Sequence, residues 1–131
     1  MKKGKKIKLS IGIPVFNSEK SIRKCLDSLL CQTFSDFEII ISDNASTDNT
    51  SNICKEYQNK DSRIKFFQQK SNIQIIGNFN FVLNESNTEY FMWAAADDIW
   101  HPEFIKKNLE LLEKNLNFVG STSEIEYFNE S

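Results

Sequence analysis

One histidine, three cysteines and four glycines are all that 131 residues hold of these types, and neither sign of charge dominates, with 16 basic and 18 acidic side chains. Each shortage removes a class of protein. A formal net charge of −2 gives no electrostatic footprint for a polyanion, so nucleic-acid binding is not expected. Cys25, Cys31 and Cys54 are odd in number and lack metal-site spacing, so they read as reduced, mostly buried thiols. Matches to Asn-x-Ser/Thr such as Asn44-Ala45-Ser46 then carry no meaning as glycosylation acceptors. His101, beside Pro102, reads as a surface residue at a helix start. No apolar run approaches a membrane span, and no secretory-type apolar region follows the basic leader Lys2, Lys3, Lys5 and Lys6. The expected location is the cytoplasm. The leader, residues 1–6, reads as a solvated tail, with peripheral contact to the inner face of a membrane as the other reading.

What the chain does have is alternation. The length predicts one domain, small for an enzyme that binds two substrates. Lys8 to Val15 reads as a first strand, and Asn17 and Ser18 supply capping chemistry after it. From Glu19 to Cys31 the residues Ile22, Cys25, Leu26, Leu29 and Leu30 form the stripe of an amphipathic helix. Phe37 to Ile41 is a second strand running into Ser42-Asp43-Asn44-Ala45-Ser46-Thr47-Asp48, a dense turn and cap signal. A polar helix over 49–59, a strand over 63–68, a helix over 77–85 with Ile76, Phe79, Val82 and Leu83 inward, and a strand over 89–95 follow. Pro102 opens a fourth helix with Phe104, Ile105, Leu109 and Leu112 on one face, and 117–121 reads as a fifth strand. Phe66, Phe67, Phe79, Phe81, Phe91 and Phe104 read as core.

Alternating elements with two-sided apolar strands predict an α/β domain: a mostly parallel sheet with helices on both faces. Such sheets bind ligands beyond the carboxyl ends of their strands, which places Asn17, Asp43 and Asp97 around one crevice. Asp97 and Asp98 follow the apolar run 90–96, where two carboxylates suit a hard divalent cation, Mg²⁺ or Mn²⁺, that also holds phosphate oxygens. The alternative is an acidic turn that caps the next helix. Other classes on such a sheet lack their signatures. Pro14 to Lys20 contains neither the Gly-x-Gly-x-x-Gly of a redox Rossmann protein nor the Gly-rich basic loop of a nucleotidyltransferase. Gln68-Gln69-Lys70 offers no phosphoacceptor aspartate of receiver type.

The segments Ile11-Gly12-Ile13-Pro14-Val15-Phe16-Asn17 and Phe37 to Asp48 resemble the opening of a family 2 glycosyltransferase of the GT-A, Rossmann-like fold. Asn72, Gly77 and Asn80 resemble the landmarks before its fourth strand, and Ala95-Ala96-Asp97-Asp98 occupies the place of its Asp-x-Asp signature. The resemblance spans about residues 7 to 120. It implies inverting transfer of a sugar from a nucleoside diphosphate, often UDP, to a glycan or lipid-linked acceptor, with Mn²⁺ or Mg²⁺ as cofactor. It implies a nucleotide site made of Pro14, Val15, Phe16, Asn17, Glu19, Asp43, Asn80 and Ala96, and metal ligands Asp97 and Asp98. Asp43 would accept the uracil imide hydrogen, and Asp98 would add a ligand or position the sugar. Glu19 reads equally as a first-turn helix glutamate, and Asn80 as a helix residue satisfied by backbone. Trp93 and Trp100 read as packing residues, with Trp100 a second candidate for the wall of the sugar pocket.

The chain departs from the family pattern at named places. Ser42 and Ala95 replace expected aspartates, Asn44 and Gln74 replace expected glycines, and Phe79 stands where arginine is frequent. Asn44 is expected to take the left-handed backbone that glycine would supply. Glu124 and Glu126 alternate with Ile125 and Tyr127 as in a strand, so neither reads as the base that deprotonates the acceptor. That base is expected beyond Ser131, which makes residues 7–131 the nucleotide-sugar-binding portion of a GT-A domain lacking its acceptor half. The competing reading is a noncatalytic nucleotide-binding module or a degenerate transferase fragment.

Overall fold

Strand β1, Leu9–Val15, alternates large apolar and small residues, and this alternation builds both layers of the molecule. The computed structural model describes residues 6–127. Lys2, Lys3, Lys5 and Glu130 lie outside the described residues; Lys6 is exposed. After β1 the chain forms α1 (Ile22–Leu30), β2 (Phe37–Asp43), α2 (Thr50–Lys60), β3 (Ile64–Gln68), α3 (Gln74–Asn84), β4 (Tyr90–Trp93) and α4 (Phe104–Lys114). All strand pairings are parallel, in the order β3-β2-β1-β4.

Leu9, Ile11, Ile13 and Val15, with Phe37, Ile39 and Ile41 beside them, point to one face, where they pack with Ile22, Cys25, Leu26 and Leu29 of α1, Ile53 and Cys54 of α2, and Ile105 and Leu109 of α4. This is the main core. On the opposite face, Ser10, Gly12 and Pro14 stand beside Glu38, Ile40 and Ser42, and α3 covers the upper half. Gly12 permits that approach, since a Cβ there would meet Phe91 Cζ at 2.6 Å and Val82 Cγ2 at 2.7 Å. Gly12→Ala is therefore expected to destabilise the chain by about 1–3 kcal/mol through overpacking, read as a lower midpoint in urea unfolding.

The ion pair of Arg23 with Glu56, at 2.8 Å, joins α1 to α2, and Lys60 reaches the same carboxylate at 2.6 Å. The hydrogen bonds from Arg23 and Lys60 pull the Glu56 carboxyl down from 4.5 to about 2. Because the folded value is the lower one, the pair's stabilisation is present above about pH 4.5 and is lost as pH falls toward 2. Titration of Glu56 by carbon NMR is expected to return toward the ordinary range in Arg23→Ala.

Several expectations are corrected here. No strand forms over 117–121 or 124–127; neither segment pairs with the sheet, and Leu116 and Val119 are fully open to solvent. An apolar run becomes a strand only where an edge accepts its backbone groups. Helix α3 starts at Gln74 rather than Gly77, and its inward residues are Asn78 and Val82, while Ile76, Phe79 and Leu83 are exposed. The helix is rotated because Asn78 is drawn inward by the sheet: its Oδ1 accepts from Ser42 Oγ at 2.5 Å and its Nδ2 donates to Ser42 O at 3.0 Å. Of the six phenylalanines read as core, Phe79 is exposed and the others are half-buried. Cys31 is exposed, whereas Cys25 and Cys54 are buried. No helix among the described residues is long and apolar enough to cross a membrane.

Candidate active site

The strand order reverses direction at β1: the chain steps outward to β2 and β3, then returns to place β4 on the other side. In an open parallel sheet this switch point, at the carboxyl ends of the strands, is where a ligand crevice forms. The register puts Pro14 beside Ser42, Val15 beside Asp43 and Gly12 beside Trp93. Ala94 N donates to Gly12 O at 2.9 Å, carrying β4 one step further before the chain turns into Ala95–Asp98. Residues 14–17, 43–48 and 95–98 thus emerge at one edge of the sheet. Val15 is buried, Pro14 half-buried, and Phe16 is 49% exposed at the mouth.

Asn17 has φ 47°, a left-handed conformation that asparagine tolerates, and it turns the β1 loop onto the β2 loop. Its N–H donates to Ser46 Oγ at 2.9 Å, and its Oδ1 accepts from Thr47 N at 2.9 Å. Glu19 Oε2 accepts from Asn49 N at 2.8 Å while Glu19 N donates to Asp48 Oδ2 at 3.2 Å. These bonds clamp the two loops together. Glu19 therefore serves the loop frame.

Asp43 is fully buried. Its Oδ1 accepts from Ser46 N at 3.1 Å and from Ser46 Oγ, and its Oδ2 accepts from Ser51 Oγ. The carboxylate is turned into its own loop and the first turn of α2, where it fixes Ser46 and through it Asn17. Ser46 and Ser51 were not singled out from sequence, although a serine three residues after an aspartate in a turn is the usual sign of such a bond. The left-handed residue of this turn is Ala45, φ 62°, and not Asn44 as expected. Asn44 instead spends its side chain on the loop before α3: Oδ1 accepts from Ile73 N at 2.8 Å, and Nδ2 donates to Asn72 Oδ1 at 3.1 Å. Gln74 takes φ 67°, the backbone that a glycine there would supply, with its N–H donating to Asn72 Oδ1 at 2.8 Å.

Asp97 and Asp98 are exposed, held by a turn in which Asp98 N donates to Ala95 O at 3.2 Å; Ala96 is half-buried against the core. Partial desolvation and the neighbouring Asp97 push the Asp98 carboxyl above its ordinary value. A cation beside the pair would favour the ionised form of Asp98. Among the described residues no group of three or more His, Cys, Asp or Glu side chains is placed to hold a metal. The donor set fits a hard cation that takes one or two carboxylates and completes its shell with phosphate oxygens and water. Asn80 is exposed on α3, one residue after Phe79, whose carbonyl accepts from Trp93 Nε1 at 3.2 Å.

A parallel α/β domain with its switch point at β1 is what this sheet defines. Residues 10–129 match the model of Glycosyl transferase family 2, and the chain belongs to that family. Its fold is that of the GT-A glycosyltransferases: S. aureus TarS 1-349 superposes with a TM-score of 0.76 at 31% identity, over 82% of this chain and 32% of that one. TarS 1-349 has been crystallised with UDP and with UDP-GlcNAc. The mannosyltransferase PcManGT from Pyrobaculum calidifontis, in complex with GDP-Man and Mn²⁺, shares the fold at 18% identity, with a TM-score of 0.75 over 83% of this chain and 33% of that one. Glycosyltransferase GlyA of Streptococcus pneumoniae is 32% identical over 126 residues, 95% of this chain and 18% of that protein. A dolichyl N-acetyl-alpha-D-glucosaminyl phosphate 3-beta-D-2,3-diacetamido-2,3-dideoxy-beta-D-glucuronosyltransferase of Methanococcus voltae is 34% identical over 110 residues, 81% of this chain and 34% of that protein. The chain spans 42%, 18% and 37% of the lengths of three curated relatives it matches.

Proposed function

We propose that residues 7–131 supply the nucleotide-sugar-binding portion of a transferase that moves a sugar from a UDP-sugar to a glycan or lipid-linked acceptor with inversion. The observation that carries this reading is the position of the loop bearing Asp97 and Asp98, which follows β4 where that strand lies beside β1 at the sheet's switch point. Family membership and the UDP complexes of TarS support it. The M. voltae relative's name supports the lipid-linked acceptor.

Each group has a physical task in this proposal. The backbone of Pro14 to Asn17 offers polar groups to the base, and the exposed Phe16 ring gives an apolar surface beside it. Asp43, closed on Ser46 and Ser51, keeps this edge in place. Glu19 holds the α2 entry, and Asn80 and Ala96 flank the donor. Asp97 and Asp98 would hold Mn²⁺ or Mg²⁺, which when bound neutralises charge developing on the departing diphosphate. Deprotonation of the acceptor falls to a carboxylate other than Asp97 and Asp98. The cytoplasmic face of a membrane, where a lipid-linked acceptor is reached, belongs to the same proposal. Ala95, in place of the family's first aspartate, favours nucleotide binding without transfer.

Paramagnetic broadening by Mn²⁺ tests the site directly. With UDP present, amide signals of Ala96, Asp97, Asp98 and Asn17 are expected to broaden first. Broadening centred on Glu124 and Glu126, or spread over the surface, would contradict the assignment.

A further inference from the structure

The chain between β4 and α4 carries Asp97 and Asp98 yet contains no regular element of its own. What fixes it is one row of side chains that starts on α1 and runs past its end. Cys25 Sγ donates to Ala95 O at 3.3 Å, just before the acidic pair. Ser28 Oγ accepts from Trp100 N at 3.1 Å, just after it, and is itself aimed by donating to Cys25 O at 2.8 Å. Gln32, buried, uses both ends of its amide: Nε2 donates to His101 O at 2.7 Å, and Oε1 accepts from Ile105 N at 3.1 Å. Thr33 N adds a bond to Pro102 O at 2.8 Å.

The bond to Ile105 has a further meaning. Helix α4 has no side-chain cap from its own N-cap residue Glu103, and the first N–H groups of any helix lack intrahelical partners. Gln32 supplies that cap from another element. The loop is thus pinned before the carboxylates, after them, and at the start of the following helix, all from the α1 side. Burial pushes the Cys25 thiol up to about 12, so it stays protonated and keeps its hydrogen to donate.

We infer that Cys25, Ser28 and Gln32 form a positioning row that presets Asp97 and Asp98 for the cation, so that the site is arranged before the nucleotide arrives. This rests on the metal reading given under Proposed function. A preset pair loses less freedom on binding than a mobile one, so the row acts on the metal step rather than on recognition of the base.

Ser28→Ala and Gln32→Met remove the bonds without adding charge, and Ser28→Thr retains the hydroxyl. Two readouts are needed on the whole chain: hydrogen exchange at the amides of Trp100 and Ile105 without ligand, and UDP affinity with and without Mn²⁺. Exchange at Trp100 is expected to quicken roughly fivefold in Ser28→Ala, the effect of one lost hydrogen bond. The Mn²⁺-dependent part of UDP affinity should fall about tenfold, as for loss of an outer-shell partner, with metal-free affinity unchanged and Ser28→Thr restored to the wild-type value. If Gln32→Met fails to fold, Ser28→Ala carries the test. Faster exchange with the Mn²⁺ effect intact would overturn the inference by reducing the row to a structural part. A wild-type chain that binds UDP with no response to Mn²⁺ would contradict the metal reading and the inference's second half with it. Unchanged exchange in Ser28→Ala would overturn the inference alone.

Discussion

Asp97→Ala abolishes the gain in UDP affinity that Mn²⁺ provides, by more than about 100-fold, because loss of a direct ligand should exceed what loss of an outer-shell partner costs. The expectation follows from how few donors stand there. With no third carboxylate, imidazole or thiolate grouped nearby among the described residues, nothing takes over from Asp97. Asp98 has a different prospect. Desolvation and the adjacent Asp97 both raise its carboxyl, so Asp97→Ala also lowers the Asp98 value, though only in part, since desolvation is the larger cause. Metal-free UDP affinity is expected to stay near wild type in this variant. Calorimetric titration in the two conditions checks both halves. A loss of metal-free binding equal to the loss with Mn²⁺ would mean that the substitution disturbed the loop rather than the metal.

Asp43→Ala produces the largest loss of stability at the site. The buried carboxylate accepts from Ser46 N, Ser46 Oγ and Ser51 Oγ, and hydrogen bonds to a charged group are each worth about 1.5–3 kcal/mol. Alanine removes all of them and leaves the buried Ser51 and the half-buried Ser46 without this acceptor, so a loss of about 3–5 kcal/mol is expected. The effect reaches the ligand edge through Ser46, which also accepts from Asn17 N. Asp43→Asn is expected to fold better than Asp43→Ala, since its amide oxygen still accepts from Ser46. Urea unfolding of the two variants measures the difference; equal stability of Asp43→Ala and wild type would contradict a structural role for this carboxylate.

The elements nearest the site were legible because their signals are local. The run Ile11 to Asn17, the continuous strand 37–43 and the stripe Ile22, Cys25, Leu26 and Leu29 need no tertiary information, and all appear in the structure. Asp97 and Asp98 fall on the expected loop at the expected edge of the sheet. What was not legible depends on partners distant in sequence. Asn78 turns inward only because Ser42 is polar and faces it across the sheet, and no helical periodicity shows that pairing. Ala45, not Asn44, takes the left-handed backbone, because the Asn44 side chain is recruited by Asn72 and Ile73. Asp43 stands at the expected strand end, but its bonds to Ser46 and Ser51 carried no signal of their own. The apolar residues 117–121 read as a strand by pattern alone and find no edge to join. Gln32, sitting after a helix in a polar stretch, carried no signal at all; its function as a cap for α4 exists only once the two elements meet.

The central claim is that the strand ends of this chain form a working metal-assisted nucleotide site. Calorimetric titration of UDP into the wild-type chain, with Mn²⁺ and with a chelator, tests it most directly. The account predicts saturable binding of one UDP that tightens when Mn²⁺ is present. No binding of UDP in either condition would contradict it, leaving a glycosyltransferase fold whose strand ends hold no nucleotide.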